Sequence, residues 1–275
     1  MGMKKYHPTS PARRQMEYID VKALTRKEPE KRLTAGFARG VGRNHQGRIT
    51  TRHKGGGVKR RLRILDFIYD KIDMPAHVVS IEYDPNRSGF IALLQYGDGE
   101  RRYVLAPQTL CVGQTVVTSS TAPLEVGNRT ELGRIPVGTM IYNVELERGR
   151  GAVLARSAGV GATVMAQEGP HTTLTLPSGE IRVVSASSLA SIGAVSNPEH
   201  GLMTIGKAGR HRKMGVRPGV RGTAMNPRDH AHGGGEGRTL LGRSAPRTPW
   251  GKLARGVKTR RKNALSSKFI LKRRV

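Results

Sequence analysis

The chain has 275 residues, with 48 Lys and Arg against 20 Asp and Glu, giving a formal net charge of +28 with histidine neutral. Such an excess repels itself in any compact shape and calls for a polyanion: nucleic acid, an anionic membrane surface or an acidic protein. No apolar run approaches the roughly 18–20 residues that span a bilayer, and no membrane partner is expected.

The length allows one or two domains. The opening Met1–Ser10 lacks the apolar stretch of a secretory signal, and Glu17, Asp20, Glu28 and Glu30 argue against an acid-poor organelle presequence. One cysteine, Cys111, permits no internal disulfide and fits a reducing, cytoplasmic setting. Asn128-Arg129-Thr130 fits the glycosylation pattern, which carries no meaning without a secretory signal.

The charge is segregated. Residues 1–60 hold 16 Lys and Arg against 4 acidic residues, residues 61–199 hold 12 against 14, and residues 200–275 hold 20 against 2. The expected organisation is therefore a basic N-terminal extension (1–60), a near-neutral core of two modules (61–125 and 126–199) and a basic, Gly-rich C-terminal extension (200–275). The arms lack the acidic partners and apolar periodicity of a solvated helix face. They also lack the apolar surface that offsets chain entropy, so they are expected to be irregular until ordered against RNA.

Taken in chain order, the first basic cluster is Lys54-Gly55-Gly56-Gly57-Val58-Lys59-Arg60-Arg61-Leu62-Arg63. Glycines let backbone approach phosphates closely, and Lys and Arg release counterions on binding. Lys54, Lys59, Arg60, Arg61 and Arg63 are candidate phosphate contacts. The core then reads as short strands between turns. Val78–Tyr83, Phe90–Tyr96 and Glu100–Leu105 form a meander broken by Asp84–Gly89 and by Gly97-Asp98-Gly99, a tight-hairpin signal. Leu110–Val112 and Thr115–Val117 add short strands, with Cys111 a small buried residue. After a seam at Pro123–Asn128 come Gly138–Leu146, Ala162–Ala166, His171–Leu176 and Glu180–Val184, while Ser185–Ile192 is consistent with one or two helical turns. Regular short strands point to small barrels or sandwiches.

In the C-terminal arm, Gly206-Lys207-Ala208-Gly209-Arg210-His211-Arg212-Lys213 imitates a phosphate-binding nucleotidase loop from Gly201 onward. Ala208 stands where that loop needs Ser or Thr for Mg²⁺, so Lys207, Arg210, His211, Arg212 and Lys213 fit RNA phosphates better. Arg217, Arg221, Arg228, Arg238, Arg243 and Arg247 continue the basic series, and Lys258, Arg260, Arg261 and Lys262 form a dense block near the end. His230 and His232 lie between Asp229 and Gly233-Gly234-Gly235-Glu236. Two histidines on a glycine loop are not a four-ligand metal set, and no oriented nucleophile accompanies them. They are expected to hydrogen-bond RNA, with no metal, cofactor or small-molecule substrate. Trp250 would either stack on a base or cap a barrel edge. Scarce aromatics elsewhere argue against a multi-base stacking platform and favour readout of RNA backbone and shape.

Gly215–Arg238 (GVRPGVRGTAMNPRDHAHGGGEGR) is close to a family signature. Lys54-Gly55-Gly56-Gly57, Asp84-Pro85-Asn86-Arg87-Ser88, the opening Tyr6-His7-Pro8-Thr9-Ser10-Pro11 with Arg13-Arg14, and Lys258-Thr259-Arg260 carry the same likeness. Over nearly its whole length the chain resembles the family of large ribosomal subunit protein two, of bacterial type. The resemblance implies an oligonucleotide-binding-type barrel followed by an SH3-like barrel, with extensions at both ends. It implies a structural binder of large-subunit ribosomal RNA near the peptidyl-transferase region, supporting subunit association through small-subunit RNA and neighbouring ribosomal proteins. It also carries a suspicion that His230 contributes to peptide-bond formation, although the expectation is a protein that is not an enzyme. A general nucleic-acid compactor is the other rival, and has no evident need of a neutral two-module core.

Overall fold

The computed structural model describes residues 2–25, 28–36, 38–236 and 241–274. The chain divides into two compact units. One comprises Met1–Ala38, Lys59–Lys207 and Ser266–Val275, and the other Arg39–Val58 and Ala208–Leu265.

In the first unit, β1 (Met3–Lys5) pairs antiparallel with β2 (Glu17–Ile19), and β3 (Thr34–Gly36) with β4 (Arg61–Arg63). Strands β5 (Ala76–Glu82), β6 (Ile91–Tyr96), β7 (Arg101–Leu105) and β8 (Thr115–Val116) form a sheet in the order β7-β6-β5-β8. The run Ile91-Ala92-Leu93-Leu94 is apolar without alternation because both faces of β6 are covered. Ala92 and Leu94 join Val78, Phe90, Val104 and Val116 in one core, while Ile91 and Leu93 pack with Tyr103 against Leu33 and Leu65. Each of the Val, Ile, Leu and Phe side chains among them contributes about 1.5–3 kcal/mol when fully buried.

The second module comprises β9 (Arg129–Glu131), β10 (Met140–Tyr142), β11 (Val144–Glu145), β12 (Ala152–Leu154), β13 (Ala162–Glu168), β14 (His171–Thr175), β15 (Ile181–Ser185) and β16 (Leu189–Ile192). With β17 (Ile270–Lys272), contributed by the end of the chain, a seven-stranded sheet forms in the order β17-β15-β14-β13-β10-β16-β9, and β11 pairs separately with β12. Its core gathers Leu132, Ile135, Ile141, Val164, Leu174 and Ile192. Leu105, Tyr142 and Val195 cluster where the two modules meet, and Phe90 N–H donates to Ser196 Oγ at 3.0 Å. The fold is mainly β and consistent with an oligonucleotide-binding-type barrel followed by an SH3-like barrel.

Several local expectations give way. Gly138–Leu146 is two strands, because Asn143 adopts φ 53° and turns the chain from the large sheet into the β11–β12 pair. Leu110–Val112 is not a strand and Cys111 is exposed, its N–H held by Gln114 Oε1 at 2.8 Å in a turn before β8. Ser185–Ile192 forms no helix: Leu189–Ile192 is wholly buried as β16 between β10 and β9, a case of tertiary pairing overriding weak local preference. The N-terminal extension is not irregular throughout, since Met3, Ile19 and Leu24 pack on the first core.

The glycosylation-like triplet is also explained. Asn128 is buried, accepting from Val117 N–H and donating to Pro123 O. Arg129 is fully buried and pairs with buried Glu145 at 2.9 Å. Its guanidinium also donates to the carbonyls of Asn143 and Leu189 and lies 4.5 Å from the centre of the Tyr69 ring. Asn143 Nδ2 donates to Tyr69 Oη, and burial holds that phenol well above its usual pKa.

The second unit has little regular structure beyond a six-residue helix, Ala208–Lys213. Its two segments, 150 positions apart at their nearest ends, are joined through backbone. Gly55 N–H donates to Gly215 O, Val58 N–H to Lys213 O, and Arg217 N–H to His53 O, each at 2.9 Å.

Candidate nucleic-acid interface

The two units treat charge differently. In the first, carboxylates neutralise nearby cations. Arg102 binds Asp66, Asp70 and Glu100, Lys71 binds Asp98 and Glu100, and Arg148 binds Glu131. The Arg102 hydrogen bond holds the Asp70 carboxyl below its usual range, and Lys71 does the same for Asp98. In the second, Arg39–Val58 carries 5 Lys and Arg with no acidic residue, and Ala208–Leu265 carries 15 against two. That excess far outweighs the unit's two acidic residues and needs an external counter-charge.

Within the second unit, Lys54 is bridged to Val216, which brings the Lys54–Gly57 glycine loop beside Arg212, Lys213 and Arg217. Arg212 Nη1 donates to Gly55 O at 2.8 Å. Gly56 has φ +64°, and a Cβ there would collide with the Arg212 guanidinium. Arg212 therefore supports the loop, while Lys54, His211, Lys213 and Arg217 are exposed around it. A recess lined by Arg43, Arg52, His53, Lys54 and Arg217 opens beside the loop.

The histidine loop is built by close backbone approach. A Cβ on Gly233 would overlap the Asn226 carbonyl, and one on Gly222 would lie 2.5 Å from the His230 ring. His230 is buried, and its Nδ1 accepts the His232 N–H at 3.0 Å, which places the ring proton on Nε2. His232 Nε2 in turn accepts Arg247 N–H at 2.9 Å. From Arg247 a tight hairpin runs to Leu253. Pro249 sits at the second turn position and Gly251, at φ +77°, closes it, a type I turn with a left-handed fourth residue. Trp250 stands on this turn, exposed, with Arg52 5.2 Å from its ring centre. It caps no barrel core.

The remaining sequence candidates fall into two groups. Lys59, Arg60, Arg61, Arg63 and Lys207 belong to the first unit. Lys59, Arg60 and Arg61 line a recess with Thr34, Ala35 and Gly36, although Arg60 Nη1 spends a donor on Pro85 O at 2.7 Å. Arg221, Arg228, Arg243, Lys258, Arg260, Arg261 and Lys262 are exposed in the second unit, where Arg210 and Arg247 are half-buried. Arg238 lies outside the described residues. Among the described residues, no group of three or more His, Cys, Asp or Glu could hold a metal ion, and no helix is long and apolar enough to cross a membrane.

Charge runs do not point to Arg87 and Arg156, which lie in the near-neutral middle. In the structure their guanidinium groups lie over the Phe67 ring, 5.6 and 4.7 Å from its centre, and all three line one cleft of the first unit. Asp84, fully buried, pairs with Arg87 at 2.7 Å, and Ser88 Oγ accepts Ala158 N–H. The Asp84–Ser88 turn thus joins the first module to the second. Partial burial and the neighbouring Arg87 charge hold Arg156 below its usual pKa. The only sequence signal is an arginine inside a turn motif.

Two family models match the sequence. One, described as Ribosomal Proteins L2, RNA binding N-terminal domain, matches residues 30–118, and the other, Ribosomal Proteins L2, C-terminal domain, matches residues 125–251. The matches take in the first module, the second module, the histidine loop and the Trp250 turn.

Proposed function

Because the chain belongs to the ribosomal protein L2 family, a structural, RNA-binding family of the large ribosomal subunit, we propose that it holds large-subunit ribosomal RNA near the peptidyl-transferase region. There it supports association with the small subunit through that subunit's RNA, in cytoplasmic ribosomes. The observation that carries this reading is the second unit. Two segments far apart in sequence fold together, bringing 19 described cations and two acidic residues into one body. We assign residues 61–125 and 126–199 to the two barrels. The basic segments 1–60 and 200–275 supply most of the phosphate contacts, from Lys54, Lys59, Lys213, Arg217 and the Lys258–Lys262 block, with Arg61 adding one from the edge of the first barrel.

The neutralisation is electrostatic and cumulative, and the fixed backbone loops decide where RNA strands can approach. His230 acts by position in this scheme: its Nδ1 is committed to the loop and its ring is buried against Gly222. Sedimentation of a cell extract with and without ribonuclease tests the reading. The chain should travel with large ribosomal particles, be released by ribonuclease, and crosslink to large-subunit RNA close to the peptidyl-transferase region. A free 30 kDa protein near the top of the gradient, or one following DNA, would overturn it.

A further inference from the structure

The chain's one tryptophan is displayed rather than stored. Trp250 is 74% exposed, on a turn fixed by Thr248 N–H to Lys252 O at 2.7 Å and Gly251 N–H to Thr248 O at 2.9 Å. Arg247 Nη1 adds a bond to Gly251 O at 3.0 Å. An indole held rigidly in water is a large apolar surface ready for a flat partner. Arg52 comes from the other segment of the unit and lies over the ring at cation–π distance. One guanidinium covers only one face of an indole. Arg52 also lines the recess that contains Arg43, Lys54 and Arg217.

A flat aromatic surface and a cationic recess thus share one residue, and a nucleotide has the matching two parts, a planar base and an anionic phosphate. We infer that this is a site for a single unstacked nucleotide of the bound RNA, with its base on the open face of Trp250 and its phosphate in the recess beside Arg52. The inference rests on the RNA-binding reading and specifies how one nucleotide is held. The cation excess of this unit favours a polyanion over a neutral protein surface. A lone aromatic suits one base, unlike the several rings of a single-strand platform.

The single tryptophan makes emission excited at wavelengths that tyrosine does not absorb a report from this one position in the full chain. The probes are an adenylate octamer and an abasic ribose-phosphate octamer of equal charge, titrated at matched salt, with binding followed independently by mobility shift. The adenylate octamer should quench Trp250 emission and the abasic one should bind without quenching. Trp250→Leu should weaken the adenylate octamer roughly ten-fold, within the range for loss of one stacked base, and leave the abasic octamer unchanged. Arg52→Gln should weaken both. Equal quenching by both probes, binding without quenching, or an unchanged adenylate affinity in Trp250→Leu would overturn the site. So would emission that responds only to other large-subunit proteins. Failure of both octamers and of large-subunit RNA to bind would instead remove the RNA reading on which the site rests.

Discussion

His232 Nε2 accepts the backbone N–H of Arg247 at 2.9 Å, while the N–H of His232 itself is held by His230 Nδ1. The two histidines therefore form a ladder from the glycine loop to the turn that displays Trp250. This gives a pair of enzyme-like residues a positional role, and it makes their loss a structural event.

His232→Ala is expected to leave the half-buried Arg247 N–H without its acceptor, at a cost below the roughly 1–3 kcal/mol of a fully buried unsatisfied donor because water can partly replace the bond. Hydrogen exchange at Arg247 should accelerate, and affinity for large-subunit RNA should fall several-fold. Exchange at β6 should not change. Unchanged protection at Arg247 would show that the ladder does not hold the turn.

The Arg129–Glu145 pair is fully buried, so removing one partner strands the other charge. Glu145→Gln should destabilise the first unit by about 3–5 kcal/mol, read as a lower denaturant midpoint. The double change Arg129→Met with Glu145→Met should recover part of that loss, because neither charge is then left unpaired. A double variant less stable than the single one would refute this account of the pair.

Binding to large-subunit RNA should weaken steeply with salt. If about 10 phosphates are neutralised, affinity falls by several powers of ten between low and physiological salt. Replacing Lys258, Arg260, Arg261 and Lys262 with Gln should flatten the slope by about one unit for each phosphate that is no longer neutralised. A slope near zero in the unaltered chain would exclude a phosphate-driven interface.

Acid should weaken the first unit in a way traceable to named carboxyls. Asp70, Asp98 and Glu100 are held below their usual pKa, Asp70 and Glu100 chiefly by hydrogen bonds from Arg102 and Asp98 by one from Lys71. A depressed folded-state pKa contributes stability that is complete above the ordinary carboxylate range. That stability is lost as pH falls through and below about 4. In Asp70→Asn the difference in melting temperature between pH 7 and pH 3 should shrink, and an undiminished difference would rule out Asp70 as a contributor. The side chains are exposed enough that the effect should also diminish in high salt.

Gly56→Val combines a left-handed backbone position, at φ +64°, with a collision against the Arg212 guanidinium. It should loosen the 54–57 loop and reduce RNA affinity. Gly97→Ala, on a turn where a Cβ meets nothing within 4 Å, should not. Equal effects of the two would remove the loop from the interface.

What could be read from the sequence follows from which interactions are local. The β5–β7 meander is legible because its strands are consecutive and its turns carry Gly-Asp-Gly and Asp-Pro-Asn signals. The basic candidates are legible because charge is a property of composition. The split at Asn143 depends on a sheet change that alternation does not encode, and β16 forms from Leu189–Ile192 only because β9 and β10 flank it. The pairing of Lys54 with Val216, the addition of β17 to β15, and the meeting of Arg87 with Arg156 at Phe67 are long-range interactions with no signature in either partner alone. Cys111 departs from expectation for the complementary reason: a residue type that is usually buried sits in an exposed turn.

The division of the second unit between two distant segments also has a consequence in time. Arg39–Val58 emerges from synthesis about 150 residues before Ala208 does, an interval of about 8–30 s at ordinary elongation rates. Throughout it, a stretch with five cations and no acidic residue waits for the segment with which it folds. The first polyanion it meets competes with its own folding, so assembly onto RNA can begin while the protein is still being made.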